Sequence, residues 1–400
     1  MNNADRHTIL HDGPTASRLE VNLIAISQNL RTFRHLVGHQ RKICAVVKKN
    51  AYGLGVHHIA PHLKHQGVDR LAVYSQAEAE ELIALNVSLP VITLGPIEHI
   101  PPGSALEHAA RHGHLEPTLH SLSQLRTLNA AAAAAKASLG VHLYIDTGMS
   151  RSGFAPEELP DALQALDKAP NLHILGVHTH LATADTDPNF AQTQLNRYLA
   201  CLDANHSALP SNTLRHAANS YATLRHKAFH LDMIRPGLGL YGCGFDDLTD
   251  EPRLLNKDPF QPVARWLTTI NHIARYPANT PVGYGSTWTT PRDATLAVVP
   301  VGYGDGYPVA LSNKATMRVL LHGGGHLDAP VRGRVNMDQV VLDLTDAPHP
   351  PEHLMGATVE VISAEPDAPN TVPRLASLAN THSYEILCRL SPRISRKHLN

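Results

Sequence analysis

The chain has 400 residues, and its 34 basic and 35 acidic side chains nearly cancel in charge. A chain of this length exceeds one ordinary small core, so we expect two domains or one large barrel with an appendage. Without basic blocks or acidic tails, the sequence gives no reason to expect nucleic acid or a membrane surface as a partner. It also lacks H-E-x-x-H and C-x-x-C patterns, so no metal site is predicted.

The cysteines and the first residues bear on the compartment. Cys44, Cys201, Cys243 and Cys388 are scattered without close pairs, which favours reduced thiols over a disulfide framework. The first twenty residues lack the apolar core of a secretory signal, and no apolar run is long enough to span a bilayer. We therefore expect a soluble, cytoplasmic protein.

From about residue 24 to 240, short apolar runs alternate with helical stretches. Helices are predicted over 25–36, 77–86, 121–137, 157–168 and 190–206. The strand candidates are Ile43–Lys48, Leu71–Tyr74, Val91–Leu94, Glu116–Leu119, Val141–Asp146, Ile174–His180, Leu214–Ala217 and Met233–Arg235. Eight strands alternating with helices are typical of a closed parallel (β/α)8 barrel, like that of triosephosphate isomerase, within the α/β class.

After Cys243 the sequence changes character. A Pro- and Asp-rich stretch at 245–262 precedes short Val/Thr-rich runs separated by Gly and Pro, at 296–301, 316–321, 339–344 and 357–363. This pattern predicts a β-rich domain with little helix before Leu375–Ala379. We expect a barrel over 24–243 and a β-rich domain over 244–400. The strand at 17–23 is expected to join the β-rich domain.

Distinctive polar residues follow several of the predicted barrel strands. Lys48 ends the first strand, Arg151 lies in the loop after the fifth, and His180 ends the sixth. The last two strands lead into Asn219–Ser220 and Arg235–Gly239, in late loops of the kind that often bind phosphate. Each of these residues alone also fits a structural role. Their order along one barrel indicates an active site, because barrel enzymes place catalytic groups at the carboxyl ends of the strands.

Together, these motifs resemble the alanine racemase family of fold-type III pyridoxal-phosphate enzymes, over nearly the whole chain to Arg393. The resemblance implies that Lys48, in AVVKKNAYG, forms a Schiff base with pyridoxal 5'-phosphate. It implies that Tyr284, in VGYGSTW, is the second catalytic base and enters the barrel of the partner subunit. A homodimer with shared active sites follows from that role.

The same resemblance assigns the remaining contacts. Arg235 is expected to face the pyridine nitrogen, and His180 to link the arginine to the catalytic tyrosine. Arg151 and the backbone of Met337 match contacts to the carboxylate of a small amino-acid substrate. The residues expected to bind the cofactor, mainly at its phosphate, are Tyr52, Asn219, Ser220, Gly237, Leu238 and Tyr384.

These roles are chemically coherent. Racemisation removes a proton from one face of Cα and returns one to the other face, so two opposed bases are needed. Free tyrosine, with a pKa of about 10, is a poor base at neutral pH, and cationic neighbours lower the cost of its phenolate. Arg235 stays protonated and cannot protonate the pyridine nitrogen, which disfavours a long-lived carbanion and the side reactions that follow from it.

The chain departs from the family pattern at several positions. The family often has a carbamate-modified lysine where this chain has Tyr144. Leu54 stands where a histidine is usual, and Lys49 replaces a small residue beside Lys48. Val309 stands where an arginine at the substrate entrance is common. None of these changes removes a group needed for racemisation, but they leave the substrate open.

Alternatives remain beside an alanine racemase. A serine or broad-specificity racemase would use the same catalytic groups. A barrel decarboxylase with the same cofactor predicts an acidic partner for the ring nitrogen and a catalytic cysteine; Arg235 and Tyr284 speak against it. A non-catalytic carrier of the cofactor would consist of the barrel alone and would leave the β-rich domain unexplained.

Overall fold

The fold is described from a computed structural model of the chain. The described residues are 17–243, 260–348, 350 and 353–400. The first sixteen residues and most of the Pro- and Asp-rich stretch predicted at 245–262 lie outside them. The chain divides into two compact units, one formed by Leu23–Gln261 and the other by the residues up to Asn22 together with those from Pro262 on.

The unit Leu23–Gln261 contains an eight-stranded parallel sheet. After β1 (Arg18–Asn22), which belongs to the other unit, the strands of this sheet are β2 (Lys42–Val46), β3 (Arg70–Val73), β4 (Val91–Thr93), β5 (Leu115–Leu119), β6 (Leu139–Tyr144), β7 (Leu172–His178), β8 (Leu214–His216) and β9 (Met233–Ile234). Their spatial order is β8-β7-β6-β5-β4-β3-β2-β9. Backbone hydrogen bonds from Asp232 to Arg215 and from Arg235 to Ala218 link the two end strands. The sheet is therefore a nearly closed barrel.

Helices follow the strands of this unit in the alternation that the sequence predicts. They are α1 (Leu23–Val37), α2 (Lys48–Tyr52), α3 (Val56–His65), α4 (Gln76–Ala84), α5 (Ala105–Arg111), α6 (Leu122–Ala134), α7 (Leu159–Asp167), α8 (Pro188–Ala204) and α9 (Ser220–Arg225). Successive residues of β2 from Ile43 to Val46 are all buried, as expected for a strand covered on both faces. Helices α2, α5 and α9, of five to seven residues, are too short to be predicted from apolar periodicity. Helix α3 was not predicted either, although it buries an apolar stripe; it contains Pro61, which argues against a helix in sequence.

The other unit is β-rich. Its strands are β1, β10 (Ala264–Thr269), β11 (His272–Tyr276), β12 (Pro281–Val282), β13 (Trp288–Thr289), β14 (Ala294–Val299), β15 (Thr316–Leu320), β16 (His326–Arg332), β17 (Val340–Asp343), β18 (Thr358–Ile362) and β19 (Ser395–Leu399). Two helices, α10 (Val372–Leu378) and α11 (Ser383–Cys388), accompany them. Nine strands form one sheet, in which β1 pairs antiparallel with β10 and parallel with β19. The early strand Arg18–Asn22 thus pairs within this sheet.

The predicted fold class, a (β/α)8 barrel with a C-terminal β-rich domain, is confirmed by this architecture. All four cysteines carry free thiols, and burial raises the pKa of the Cys44 thiol to about 12. Within the described ranges, no helix combines the length and the apolar character needed to cross a bilayer.

Candidate active site

Lys48 begins an unusual turn at the end of the first barrel strand. The residues Lys49 to Tyr52 all have φ between 51° and 58°, so α2 is a left-handed turn. Such a conformation costs L-residues roughly 1–2 kcal/mol each, so it persists only where its surroundings impose it. The Glu78 carboxylate accepts the backbone N–H of Lys49 at 2.7 Å, and the Asn50 side chain accepts the N–H of Val56 at 2.8 Å. These bonds brace the segment that carries Lys48.

Arg235 follows β9 and is buried, with 4% of its surface exposed. Its guanidinium donates to Nδ1 of His216 at 2.7 Å and to the carbonyl oxygen of Thr179, also at 2.7 Å. Burial lowers the pKa of Arg235, and an arginine side chain stays protonated in proteins. No carboxylate of the described residues lies within ion-pair distance of it, although a buried charge ordinarily requires a partner.

A chain of buried hydrogen bonds extends from Arg235 across the barrel. Nε2 of His216 lies 2.9 Å from Nδ1 of His142. Nε2 of His142 lies 3.1 Å from Oε2 of Glu116, and the same oxygen accepts a 2.7 Å hydrogen bond from Nε of Arg70. One polar line through an otherwise apolar interior thus takes residues from β8, β6 and β5 and from the end of β9, and β3 adds Arg70 at its far end. The chain ends at the buried carboxylate of Glu116.

Ser220, Gly237 and Tyr52 form a small polar cradle. The backbone N–H groups of Gly237 and Gly239 both point at Oγ of Ser220, at 3.0 and 3.1 Å. Asn219 precedes α9 and accepts the N–H of Ala222, which fixes the start of that helix. A Cβ on Gly237 would lie 2.3 Å from the hydroxyl of Tyr52, so only glycine allows the tyrosine this position. Converging hydroxyl and N–H groups of this kind suit a phosphate.

Arg151 lies in the loop that follows β6. One oxygen of Asp146 accepts the backbone N–H groups of Gly148, Met149 and Ser150, at 2.9, 2.8 and 3.1 Å. Partial burial would raise the pKa of Asp146, but these hydrogen bonds hold it below its ordinary value. The loop is therefore built around an ionised carboxylate, and it presents Arg151 on the surface of the barrel unit.

His180 lies just after β7, among the cations of the site. Burial lowers its pKa to about 3, and the charges of Arg235, Arg151 and Lys48 act in the same direction. Its backbone is held by Gln194, which accepts the N–H of Ala182 and donates to the carbonyl oxygen of His180. His180 is therefore a neutral imidazole within the electrostatic influence of both arginines and Lys48.

Tyr144 occupies the position at which the sequence departs from the family pattern. Its ring stacks on the imidazole of His178, with centroids 4.8 Å apart, and meets the ring of His120 edge-on at 5.5 Å. Within the described ranges, neither the Tyr144 hydroxyl nor the ring nitrogens of His178 have a hydrogen-bond partner. Burial raises the pKa of Tyr144, so it supplies a neutral phenol near Arg151.

Tyr284, Met337 and Tyr384 belong to the β-rich unit. Tyr284 lies in the turn between β12 and β13 and is 72% exposed, which is unusual for a tyrosine without a role at an interface. Gly283 and Gly285 beside it have φ of 70° and 74°, so the turn needs glycine at both positions. Met337 is exposed and its carbonyl oxygen accepts the N–H of Gly304, whereas Tyr384 is half-buried in α11.

In the barrel unit, therefore, the structure brings together Lys48, Arg235, His180 and the Ser220 cradle. Glu116, His142 and His216 were not predicted from the sequence. The available signal was a polar residue inside an apolar strand, as in LEPTLH and GVHLYID. It was overlooked because a histidine in a strand is usually only structurally satisfied.

The residues present fit pyridoxal phosphate. A strand-end lysine is a suitable amine for covalent attachment, and the cradle of hydroxyl and N–H groups suits the phosphate. Arg235 can donate a hydrogen bond to an unprotonated ring nitrogen but cannot protonate it. The barrel unit thus offers a lysine for covalent attachment, an arginine for the ring nitrogen and a cradle for the phosphate of such a cofactor.

Comparison with known proteins agrees with this geometry. Residues 21–244 match the family described as "Alanine racemase, N-terminal domain", and residues 263–398 match "Alanine racemase, C-terminal domain". The alanine racemase of Halothermothrix orenii is 34% identical over 382 residues, which cover 95% of this chain and 96% of that protein. The alanine racemase of Synechocystis is 36% identical over 383 residues, covering 94% and 97%.

Solved structures show the same similarity. The crystal structure of alanine racemase from a D-cycloserine-producing Streptomyces lavendulae superimposes with a TM-score of 0.85 at 28% identity, covering 97% of this chain and 98% of that one. The alanine racemase of Bartonella henselae, solved with covalently bound pyridoxal phosphate, gives a TM-score of 0.80 at 28% identity, covering 96% and 100%. Since both family matches together span nearly the whole chain, this protein belongs to the alanine racemase family.

Proposed function

We propose that this protein is an isomerase that interconverts L-alanine and D-alanine with pyridoxal 5'-phosphate as its cofactor. The observation that carries the proposal is the position of Lys48, Arg235 and the Ser220 cradle at the same end of one barrel unit. The names of the relatives support the substrate, since those similar along the full length are alanine racemases.

Each end of the cofactor would have its own residues. Lys48 would hold it covalently, and Arg235 would face its ring nitrogen. When bound, the cofactor supplies the electron-withdrawing group that makes the α-proton of an amino acid acidic. The phosphate would contact Tyr52, Asn219, Ser220, Gly237, Leu238 and Tyr384.

Two residues would move the α-proton. Lys48 would act at one face of Cα, and Tyr284 of the partner subunit would act at the other. The exposure of Tyr284 on a glycine-flanked turn supports this role, because the side chain is presented outward. His180 is neutral and would accept a hydrogen bond from this catalytic tyrosine without adding a charge to the site. A homodimer with shared active sites follows from this assignment.

The amino-acid carboxylate would be bound by Arg151 and the backbone of Met337. A guanidinium in a loop held by Asp146 suits this contact, since arginine pairs with carboxylates in a planar, bidentate way. Serine or a broader set of amino acids is the second candidate. Tyr144 and Val309 support this second candidate, because they stand where the family usually has a modified lysine beside Arg151 and an arginine at the substrate entrance. The free thiols also fit a reducing, cytoplasmic location.

The shared active site can be tested by mixing two inactive variants. Lys48→Ala and Tyr284→Phe should each abolish racemisation, whereas their mixture should recover part of the activity by subunit exchange. A random mixture yields heterodimers with one intact site. The matched controls are Lys49→Ala, at the exposed neighbouring lysine, and Tyr276→Phe, at an exposed tyrosine in β11. Both controls should stay active.

Two outcomes would contradict the proposal. The first is covalent trapping of pyridoxal phosphate by borohydride at a lysine other than Lys48. The second is the absence of recovered activity in heterodimers proven by mass spectrometry. A comparison of kcat/KM for alanine, serine and lysine with the same wild-type preparation would decide the substrate.

A further inference from the structure

The buried chain from Arg235 to Glu116 permits an assignment of protons to its two histidines. Arginine has only donors, so Nδ1 of His216 must accept the 2.7 Å hydrogen bond from Arg235. The pKa of His216 lies well below its ordinary value because of burial and of the charge of Arg235, so this ring is neutral. Its single proton therefore resides on Nε2.

The same logic continues to the next histidine. Nε2–H of His216 points at Nδ1 of His142, 2.9 Å away, so Nδ1 of His142 must accept. The proton of His142 then resides on Nε2 and is donated to Oε2 of Glu116 at 3.1 Å. Every hydrogen bond of the chain therefore runs in one direction, from the arginine to the carboxylate.

Glu116 is well suited to terminate this chain. Burial would raise its pKa, but the hydrogen bonds from His142 and Arg70 outweigh that effect and hold the carboxyl group ionised. Both hydrogen bonds end on the same oxygen, Oε2. His142 is fully buried in β6, and Arg70 lies at the start of β3. If Glu116 offered no acceptor, the N–H at Nε2 of His142 would have no partner. The tautomer of His142 with its proton on Nδ1 would then become more favourable, and that proton would face the Nε2–H of His216.

We propose that Glu116, with His142 and His216, is a positioning unit that keeps Nδ1 of His216 open as an acceptor and thereby holds the Arg235 guanidinium in place. The consequence of this inference for the cofactor rests on the proposed function, in which Arg235 faces the ring nitrogen of pyridoxal phosphate. The histidine tautomers themselves follow from the hydrogen bonds alone. Glu116, His142 and His216 are positioning residues, because Arg235 alone would meet the cofactor.

Two substitutions at one position separate the acceptor from its charge. Glu116→Gln keeps an amide oxygen where Oε2 stands, so it can accept from both His142 and Arg70 while losing the charge. Glu116→Leu removes the acceptor. The matched control is Glu360→Leu in the β-rich unit, which removes another buried carboxylate that pairs with an arginine, Arg265.

The first readout is the tautomeric state of the histidines, measured by ¹⁵N NMR of the full chain with labelled histidine, both with and without pyridoxal phosphate. We expect protons on Nε2 of His142 and His216 in the wild type and in Glu116→Gln. Mixed tautomers are expected in Glu116→Leu, and the wild-type pattern is expected in the Glu360→Leu control. Signals are assigned by their loss in His142→Gln and His216→Gln.

The second readout is the concentration of pyridoxal phosphate that restores half of the visible absorbance to the cofactor-free protein. We expect this concentration to rise about tenfold in Glu116→Leu, the lower end of what loss of an outer hydrogen-bond partner costs at metal sites. It should rise less in Glu116→Gln and not at all in Glu360→Leu.

Three results would overturn the inference. One is a proton on Nδ1 of His216, or a cationic His216, in the wild type; this measurement needs no Glu116 variant that folds, only the two histidine variants that assign the signals. Another is a Glu116→Gln variant as impaired as Glu116→Leu, which would assign the effect to charge. The third is a Glu116→Leu variant with wild-type tautomers and cofactor binding. The expected tautomers in a protein that binds no cofactor at Lys48 would instead support the assignment and overturn the proposed function.

Discussion

The ring of Tyr144 lies parallel to the imidazole of His178, with an angle of 2° between their planes and 4.8 Å between their centroids. His178 in turn stacks on His216, the histidine that accepts a hydrogen bond from Arg235. The phenol that replaces the usual lysine of the family thus belongs to a stack of rings inside the barrel. Its contribution comes mainly from packing, because its hydroxyl makes no hydrogen bond of good geometry within the described part of the chain, although the Arg151 guanidinium lies close enough to act on its pKa.

Tyr144→Phe should therefore leave the stability of the protein unchanged or increase it by up to about 1 kcal/mol, since a buried hydroxyl without a partner is unfavourable. Tyr198→Phe is the matched control. The hydroxyl of Tyr198 donates to the carbonyl oxygen of Val177 at 2.6 Å, and its loss should cost about 1 kcal/mol. Urea unfolding of both variants measures the difference. Equal destabilisation of the two would show that the Tyr144 hydroxyl is bonded.

A second prediction concerns the left-handed turn after Lys48. Lys49 is exposed with φ of 55°, a strained conformation for any residue with a Cβ. Lys49→Gly should stabilise the protein by up to about 1 kcal/mol, less a few tenths for the lost ion pair with Glu78. Lys64→Gly, at an exposed position of the right-handed helix α3, should destabilise it by about 1 kcal/mol.

Thermal unfolding would compare these two glycine variants directly. Opposite shifts of Tm are expected from the same chemical change. If both variants lost stability equally, Lys49 would not be strained in solution.

The cradle around Ser220 makes a third prediction. Gly237→Ala should destabilise the cofactor-free protein, since the new Cβ would lie 2.3 Å from the Tyr52 hydroxyl. A left-handed backbone is not the cause, because φ of Gly237 is negative, at −128°. Removing that hydroxyl in the double variant Gly237→Ala/Tyr52→Phe should restore part of the loss. Residues in direct contact typically show coupling of about 0.5–3 kcal/mol in a double-mutant cycle, and strict additivity would refute the contact.

The loop of Asp146 makes a prediction about pH. Its folded-state pKa is lowered by the four backbone N–H groups of residues 148–151, so ionisation stabilises the fold above the unfolded-state value of about 3.9. That contribution is fully present at neutral pH and is lost as the pH falls through the lower, folded-state value. Asp146→Asn should therefore be less stable than the wild type at pH 7, and the gap should narrow below about pH 5.

Unfolding by urea at a series of pH values between 7 and 3.5 measures this gap. Asp203→Asn, at an exposed position of α8, controls for the loss of one negative charge. A gap that stays constant or widens towards low pH would contradict the role of the Asp146 carboxylate.

Local sequence patterns were sufficient for the barrel and for its strand-end residues. Apolar runs such as Ile43–Val46 are buried on both faces. A strand that is buried on both faces needs consecutive apolar residues, which are visible in the sequence. The order of Lys48, Arg151, His180 and Arg235 along the chain was likewise enough to place them at the carboxyl ends of strands, because parallel strands in a barrel all end at one face.

Only the tertiary structure decided how the interior is arranged. The left-handed turn at Lys49–Tyr52 depends on Glu78, which lies in the next βα unit, so no local propensity predicts it. The line from Arg235 to Glu116 joins residues that are 119 positions apart in the sequence, through two histidines that individually look structural. Hydrogen-bond direction is a property of the assembled chain, because each proton position depends on the neighbour beyond it. The sequence by itself determined which groups are present, and the fold determined which of them donate and which accept.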